Sequence, residues 1–177
     1  MADISSVDRR TQKTITYALL YGSGNTKLGL CAGASKEDAA KRGAELKEKL
    51  LTGIDGFKDL VDAVQKKAES GYLRGIDGRP LKVRKPHAAL NTLLQGCGAA
   101  ICKMWIVRSN ELLKEAKIDY WPLAFVHDEM QLSVMQDHVM MTTDLIKYAM
   151  KDVEHTVKFR VPLDCDVQTG SNWGDTH

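Results

Sequence analysis

Cysteine and proline are scarce in this chain, four of each among 177 residues, and aromatic side chains make up only 6%. Cys31, Cys97, Cys102 and Cys165 show no CxxC spacing and no histidine in ligand register. That pattern argues against a disulfide framework and a structural zinc site, and it reads as reduced thiols packed in a core. The first twenty residues carry Arg9, Arg10 and Lys13 but no apolar signal core, and no apolar run approaches the length of a membrane span. The expectation is a cytoplasmic chain with no membrane partner. No repeat, low-complexity tract or Pro/Ser-rich linker marks a boundary. Charge of one sign is missing too: 25 Lys and Arg face 23 acids, a net +2, so the whole chain is not a polyanion binder by composition. The length suffices for a real core.

Charge is nevertheless unevenly placed. The start of the chain and the segment Arg74 to Lys85 (RGIDGRPLKVRK) are rich in Arg and Lys, which reads either as a local basic face or as solvated surface. Residues 7–21 lack Gly and Pro and carry a helical period that Gly22 and Gly24 stop. Ser35 is an N-cap candidate for a second helix to about Leu51, and Phe57 to Ser70 reads as a third. YLRGIDGRPLKV reads as a hairpin turning at Asp77-Gly78. Pro86 can open a long helix to about Lys117, because Leu90, Leu93, Leu94, Cys97, Ile101, Met104 and Trp105 recur at helical spacing. Leu123 to Val126 and Met130 to Val134 are strand-like. A helix from about Gln136 to Asp152 follows, then a final strand from Phe159 to Val167. The fold class is α+β, mainly helical with a small antiparallel sheet.

Three groups of residues could carry chemistry. Arg9, Lys13, Tyr17 and Tyr21, spaced by four, step along one helix face. Two cations suit a polyphosphate and two rings suit a sugar or base, although an ordinary charged face with snorkelling tyrosines has the same spacing. The following GSGNTKLG lacks the spacing of a phosphate loop and meets the wrong end of a helix, so it reads as a helix stop and turn. His87, Asn91 and Gln95 form a second ladder of hydrogen-bonding side chains, suited to a duplex minor groove or simply to water. FVHDEMQL sets Asp128 and Glu129 behind His127 inside an apolar run. Neighbouring strand residues point to opposite faces, so the two carboxylates could share one ion only in a tight turn. A metal ligand, a buried ion pair and an exposed turn all remain open.

Together the three groups resemble the C-terminal part of a family A DNA polymerase of the kind carried by T7-like bacteriophages. Arg9-x-x-x-Lys13-x-x-x-Tyr17-x-x-x-Tyr21-Gly22 is similar to motif B of the fingers, VRKPHAALNTLLQGCGAAICKMW to the helix leading into the palm, and VHDE to motif C. The resemblance implies a fingers-like segment over 1–85 and a C-terminal palm segment over 86–177. It implies that Arg9 and Lys13 contact the incoming deoxynucleoside triphosphate, that Tyr17 packs by the deoxyribose, and that Tyr21 sits near the templating base. His87, Asn91 and Gln95, with Arg84, would contact primer–template DNA. Asp128 would ligate magnesium at a two-metal site, with Glu129 and His127 beside it. Tyr17 further implies weak discrimination against dideoxynucleotides.

The family's other catalytic aspartate belongs to a motif D-x-S-x-x-E-x-R well before motif B. Here Asp3, Ser5, Asp8 and Arg10 only mimic it, and helix capping by Asp3, Ser5 or Ser6 is the better use; Asp164 and Asp166 are weaker candidates. The expectation is therefore a split or truncated polymerase whose missing carboxylate comes from an N-terminal polymerase fragment, with a processivity factor as a further candidate partner. The alternative is a nucleic-acid-binding module without chemistry, or an inert fragment.

Overall fold

The structure, a computed structural model, describes residues 8–176. Two compact units divide the chain, Met1–Gly96 and Cys97–His177.

In the first unit, α1 (Arg9–Leu20) starts at Asp8, whose carboxylate accepts the N–H groups of Arg10 and Thr11 at 2.9 and 3.1 Å. The cap holds that carboxylate below the usual range, first through the Thr11 hydroxyl and then through the Thr11 N–H. Asp3, Ser5 and Ser6, the sequence candidates for this cap, lie outside the described residues. Gly22 closes the helix at φ +72°, as the left-handed residue after a helix end should.

The segment after it departs from the sequence reading. GSGNTKLG does stop α1, but it then enters a short helix α2 (Asn25–Cys31). Local turn residues hid it, because α2 is stabilised by a neighbour and not by its own propensity. That neighbour is α3 (Ala39–Thr52). Gly29 and Gly43 let the two backbones touch: a Cβ on Gly29 would lie 1.9 Å from the Ala39 carbonyl oxygen, and one on Gly43 1.7 Å from that of Asn25. Ser35 caps a preceding turn, accepting from the Asp38 N–H at 3.1 Å, so α3 begins later than Ser35 would suggest. Ile15, Leu28, Leu46 and Leu50 form the buried core here.

α4 (Phe57–Ala68) leads to the hairpin of β1 (Tyr72–Arg74) and β2 (Pro80–Lys82), which pair antiparallel with Leu73 opposite Leu81. Gly78, at φ +84°, makes the turn beside Asp77, as the sequence indicated. Leu73 and Val83 point inward to a second core with Val64, Ala68, Ala89 and Leu90.

A single helical turn (Pro86–Ala88) opens α5 (Ala89–Glu115), which runs on into the second unit. The stretch Pro86–Glu115 has the length, and in one 18-residue window the mean hydropathy of 1.2, that a membrane span requires. It does so by length and composition only, as core helices also can, and Lys103 and Arg108 interrupt the apolar run. The helix also carries His87, Asn91, Gln95 and an ion-paired Arg108, whose Nε meets Asp152 at 2.7 Å.

In the second unit, β3 (Tyr120–Val126) and β4 (Glu129–Val134) pair antiparallel, with Val126 opposite Glu129 and a bulge at Leu123. α6 (Val139–Val157) follows. Trp105 donates from Nε1 to the Ile146 carbonyl at 3.0 Å, inside a core of Trp105, Leu112, Ile146, Ala149, Met150 and Val153. The expected strand from Phe159 to Val167 is not one. Its side chains alternate, with Leu163, Cys165 and Val167 packed on this core and Asp164 and Asp166 outside, but the segment pairs with no strand among the described residues. Alternation reports one buried face; a strand also needs a partner for its ladder. The cysteines are all free and half-buried instead of deep in a core.

Candidate nucleotide and nucleic-acid site

Arg9, Lys13, Tyr17 and Tyr21 are all exposed, while Gln12 and Ile15 on the other side of α1 are buried. The buried side fixes the helix in place, and the ladder is therefore presented outward over about 18 Å of helix. The Tyr17 and Tyr21 rings lie 6.1 Å apart, tilted by 32°, and the Lys13 ammonium stands 5.9 Å from the Tyr17 ring centre. Cations at a helix N-terminus oppose the dipole, so Arg9 and Lys13 do nothing for the stability of α1; they add to a positive end that suits an anion.

Tyr17 and Tyr21 line one wall of an open depression, completed by Thr14, Ala18, Ser23, Lys27 and Cys31. Lys27 escaped the sequence reading because GSGNTKLG was taken as a turn. The helical spacing of Leu28 from Cys31 was the signal that could have placed it.

The second ladder meets the first at its far end. Gln95 donates from Nε2 to the Tyr21 hydroxyl at 3.3 Å, although 74 residues separate them. Gly22 backs onto His87: a Cβ there would lie 2.5 Å from the His87 carbonyl oxygen. Asn91 Oδ1 is buried with no hydrogen-bond partner among the described residues, an acceptor that a ligand's donor would satisfy. His87 and Arg84 are exposed.

In the second unit, His127 and Asp128 form the two-residue connection between β3 and β4, and Glu129 is the first residue of β4. His127 takes φ +56°, a conformation that costs a non-glycine residue about 1 kcal/mol. Asp128 is exposed and makes no ion pair among the described residues, so the sequence alternative of a buried pair is set aside. Burial first, and the Asp128 charge second, push the Cys102 thiol upward, which puts the carboxylate within electrostatic reach of α5. Glu129 accepts a short hydrogen bond from Gln131 Nε2. On the β3 side the apolar run is exposed, with Leu123 66% exposed and Trp121, Phe125 and Val126 exposed too, whereas Met130 and Leu132 of β4 pack on the core of this unit. Among the described residues no three His, Cys, Asp or Glu side chains gather as a metal cluster. Asp128 fits one metal ligand; it does not make a site.

Comparison with known proteins gives the chain's relatives. The family model for DNA polymerase family A matches residues 1–175. The DNA-directed DNA polymerases of Enterobacteria phage T3 and Escherichia phage T7 are each 36% identical to this chain over 96% of its length, and the chain spans 27% of theirs. Among solved structures, the POL domain of Pol1 from M. smegmatis, in complex with DNA primer-template and dNTP, matches with a TM-score of 0.70 at 24% identity, covering 86% of this chain and 30% of that one.

Proposed function

Since this chain belongs to DNA polymerase family A, we propose that it supplies the fingers face, over 1–85, and the C-terminal palm, over 86–177, of a template-directed DNA polymerase. The observation that carries the reading is the meeting of the two ladders, Tyr21 with Gln95 and Gly22 with His87. Residues far apart in sequence build one surface that offers cations, rings and hydrogen-bonding side chains together.

In this reading Arg9 and Lys13 bind the triphosphate of a deoxynucleotide, and their charge offsets that of the departing pyrophosphate. Tyr17 packs by the sugar and Tyr21 by the templating base. His87, Asn91, Gln95 and Arg84 hold primer–template DNA. Asp128, exposed and without an ion pair among the described residues, holds magnesium, with Glu129 and His127 flanking it. Magnesium, when bound as a pair, supplies the charge that favours attack by the primer 3′-oxygen on the α-phosphate. The second carboxylate of that pair comes from an N-terminal polypeptide outside these residues, a reading supported by the solitary Asp128 and by the exposed apolar side chains of β3 beside it.

The test is magnesium-dependent primer extension by the chain alone and mixed with the N-terminal portion of a T7-like polymerase. Extension in the mixture only is expected. Extension by the chain alone overturns the division of the metal site, and none in either overturns the catalytic reading in favour of a binding module.

A further inference from the structure

The outward face of the β1–β2 hairpin is used by none of these roles except that of Arg84. Residues opposite each other in an antiparallel pair share a face. Leu73, Leu81 and Val83 turn inward, so Tyr72, Arg74 and Lys82 turn outward, with Tyr72 directly across from Lys82. Tyr72 is 51% exposed. Val83 N–H donates to the Gly71 carbonyl at 2.9 Å, which carries the pairing one step further and leaves Arg84 exposed beyond Lys82. Arg74, Lys82 and Arg84 make no ion pair among the described residues. Asp77 in the turn is ion-paired with Arg79.

We propose that this face, Tyr72 set among Arg74, Lys82 and Arg84, is a binding platform for single-stranded DNA. Lys82 directly across from the exposed Tyr72 ring, with Arg74 and Arg84 exposed on the same hairpin and all three without an ion pair among the described residues, matches a strand that offers phosphates and an unstacked base at once. A duplex supplies the phosphates but keeps its bases stacked, so the ring distinguishes the two. The platform extends the polymerase reading, from which it borrows only Arg84, and it requires neither magnesium nor nucleotide.

The test is fluorescence anisotropy of the full chain with a labelled oligo-dT and with a labelled blunt duplex, each across a salt series. The expected result is that Tyr72→Ala weakens oligo-dT binding by about 5- to 100-fold, as loss of one base stack does, while Tyr72→Phe keeps it and the duplex is little affected. Lys82→Gln with Arg84→Gln is expected to flatten the salt slope by about 1.4, at about 0.7 per phosphate contact on a single strand. Circular dichroism of each variant separates lost binding from lost fold. Oligo-dT binding that ignores Tyr72→Ala, or an equal effect on the duplex, overturns the proposal, and neither outcome bears on primer extension.

Discussion

Among single residues, Tyr17 and Lys158 show how a side chain's environment decides what it does. Tyr17 is exposed between Lys13 and Tyr21, on the face proposed for the sugar. In a reconstituted enzyme it should accept 2′,3′-dideoxynucleotides readily, and Tyr17→Phe should raise the preference for deoxynucleotides by about tenfold, the value of one hydrogen bond. Equal-concentration competition between the two substrates measures it, and strong rejection by the unsubstituted chain would sink the idea. Lys158 ends α6 at φ +53°, ψ +45°, where glycine is at no disadvantage. Lys158→Gly should therefore stabilise the chain by about 1 kcal/mol, read as a shift in the urea midpoint. These positions differ in legibility. The i, i+4 spacing of Arg9, Lys13, Tyr17 and Tyr21 announced a shared face, and the structure keeps all four exposed. Nothing in the identity of Lys158 announces left-handed backbone, because the surrounding helix end imposes it.

Elements depend on their neighbours, and the sequence is most easily misread there. α1, α4 and α6 have strong periods or caps of their own, and they and α5 lie close to where periodicity put them. α2 has neither, and it exists because Gly29 and Gly43 let it pack backbone to backbone with α3. Gly43→Ala should cost about 1–3 kcal/mol or more, since a methyl group there meets the Asn25 carbonyl and no flexible side chain can yield. Thermal unfolding by circular dichroism checks it; an unchanged midpoint would remove the crossing from the account. The segment from Phe159 to Val167 errs the other way, with a clear alternation and no ladder. Two contacts tether it: Glu154 accepts from the Leu163 N–H at 2.6 Å, and Lys151 donates to the Leu163 carbonyl. The Leu163 N–H, then the Lys151 charge, hold the Glu154 carboxyl below its usual range. A carboxyl lowered on folding stabilises above its unfolded pKa of about 4.5 and loses that contribution as pH falls through the lower folded value. Exchange of the Leu163 amide should therefore accelerate beyond the general trend below about pH 4.5, and Glu154→Gln should remove the pH dependence. An exchange profile identical in the variant would contradict the tether.

For the whole molecule, the informative feature is distribution. Tyr21 and Gln95 are separated by 74 residues yet share a hydrogen bond, a pairing that neither ladder's own spacing reveals. Family resemblance makes motif B and the helix after it legible as separate strings, but it does not give this contact. The metal site reads differently. VHDE is visible at once but leaves a metal ligand, a buried ion pair and an exposed turn open, and Asp128 lies in an exposed connection next to exposed Leu123, Phe125 and Val126. Apolar composition did not mean burial, because burial needs something packed over the strand. The central claim is that Asp128 is one half of a two-metal nucleotidyl-transfer site. Single-turnover nucleotide incorporation by Asp128→Asn, mixed with the N-terminal portion and compared with the unsubstituted chain, tests it most directly. The account predicts a rate lower by on the order of 10³-fold, with primer–template affinity unchanged, because one charge on a metal ligand is lost at the reacting centre. A rate within a factor of about three of the unsubstituted mixture, well under one kcal/mol of barrier, would contradict it.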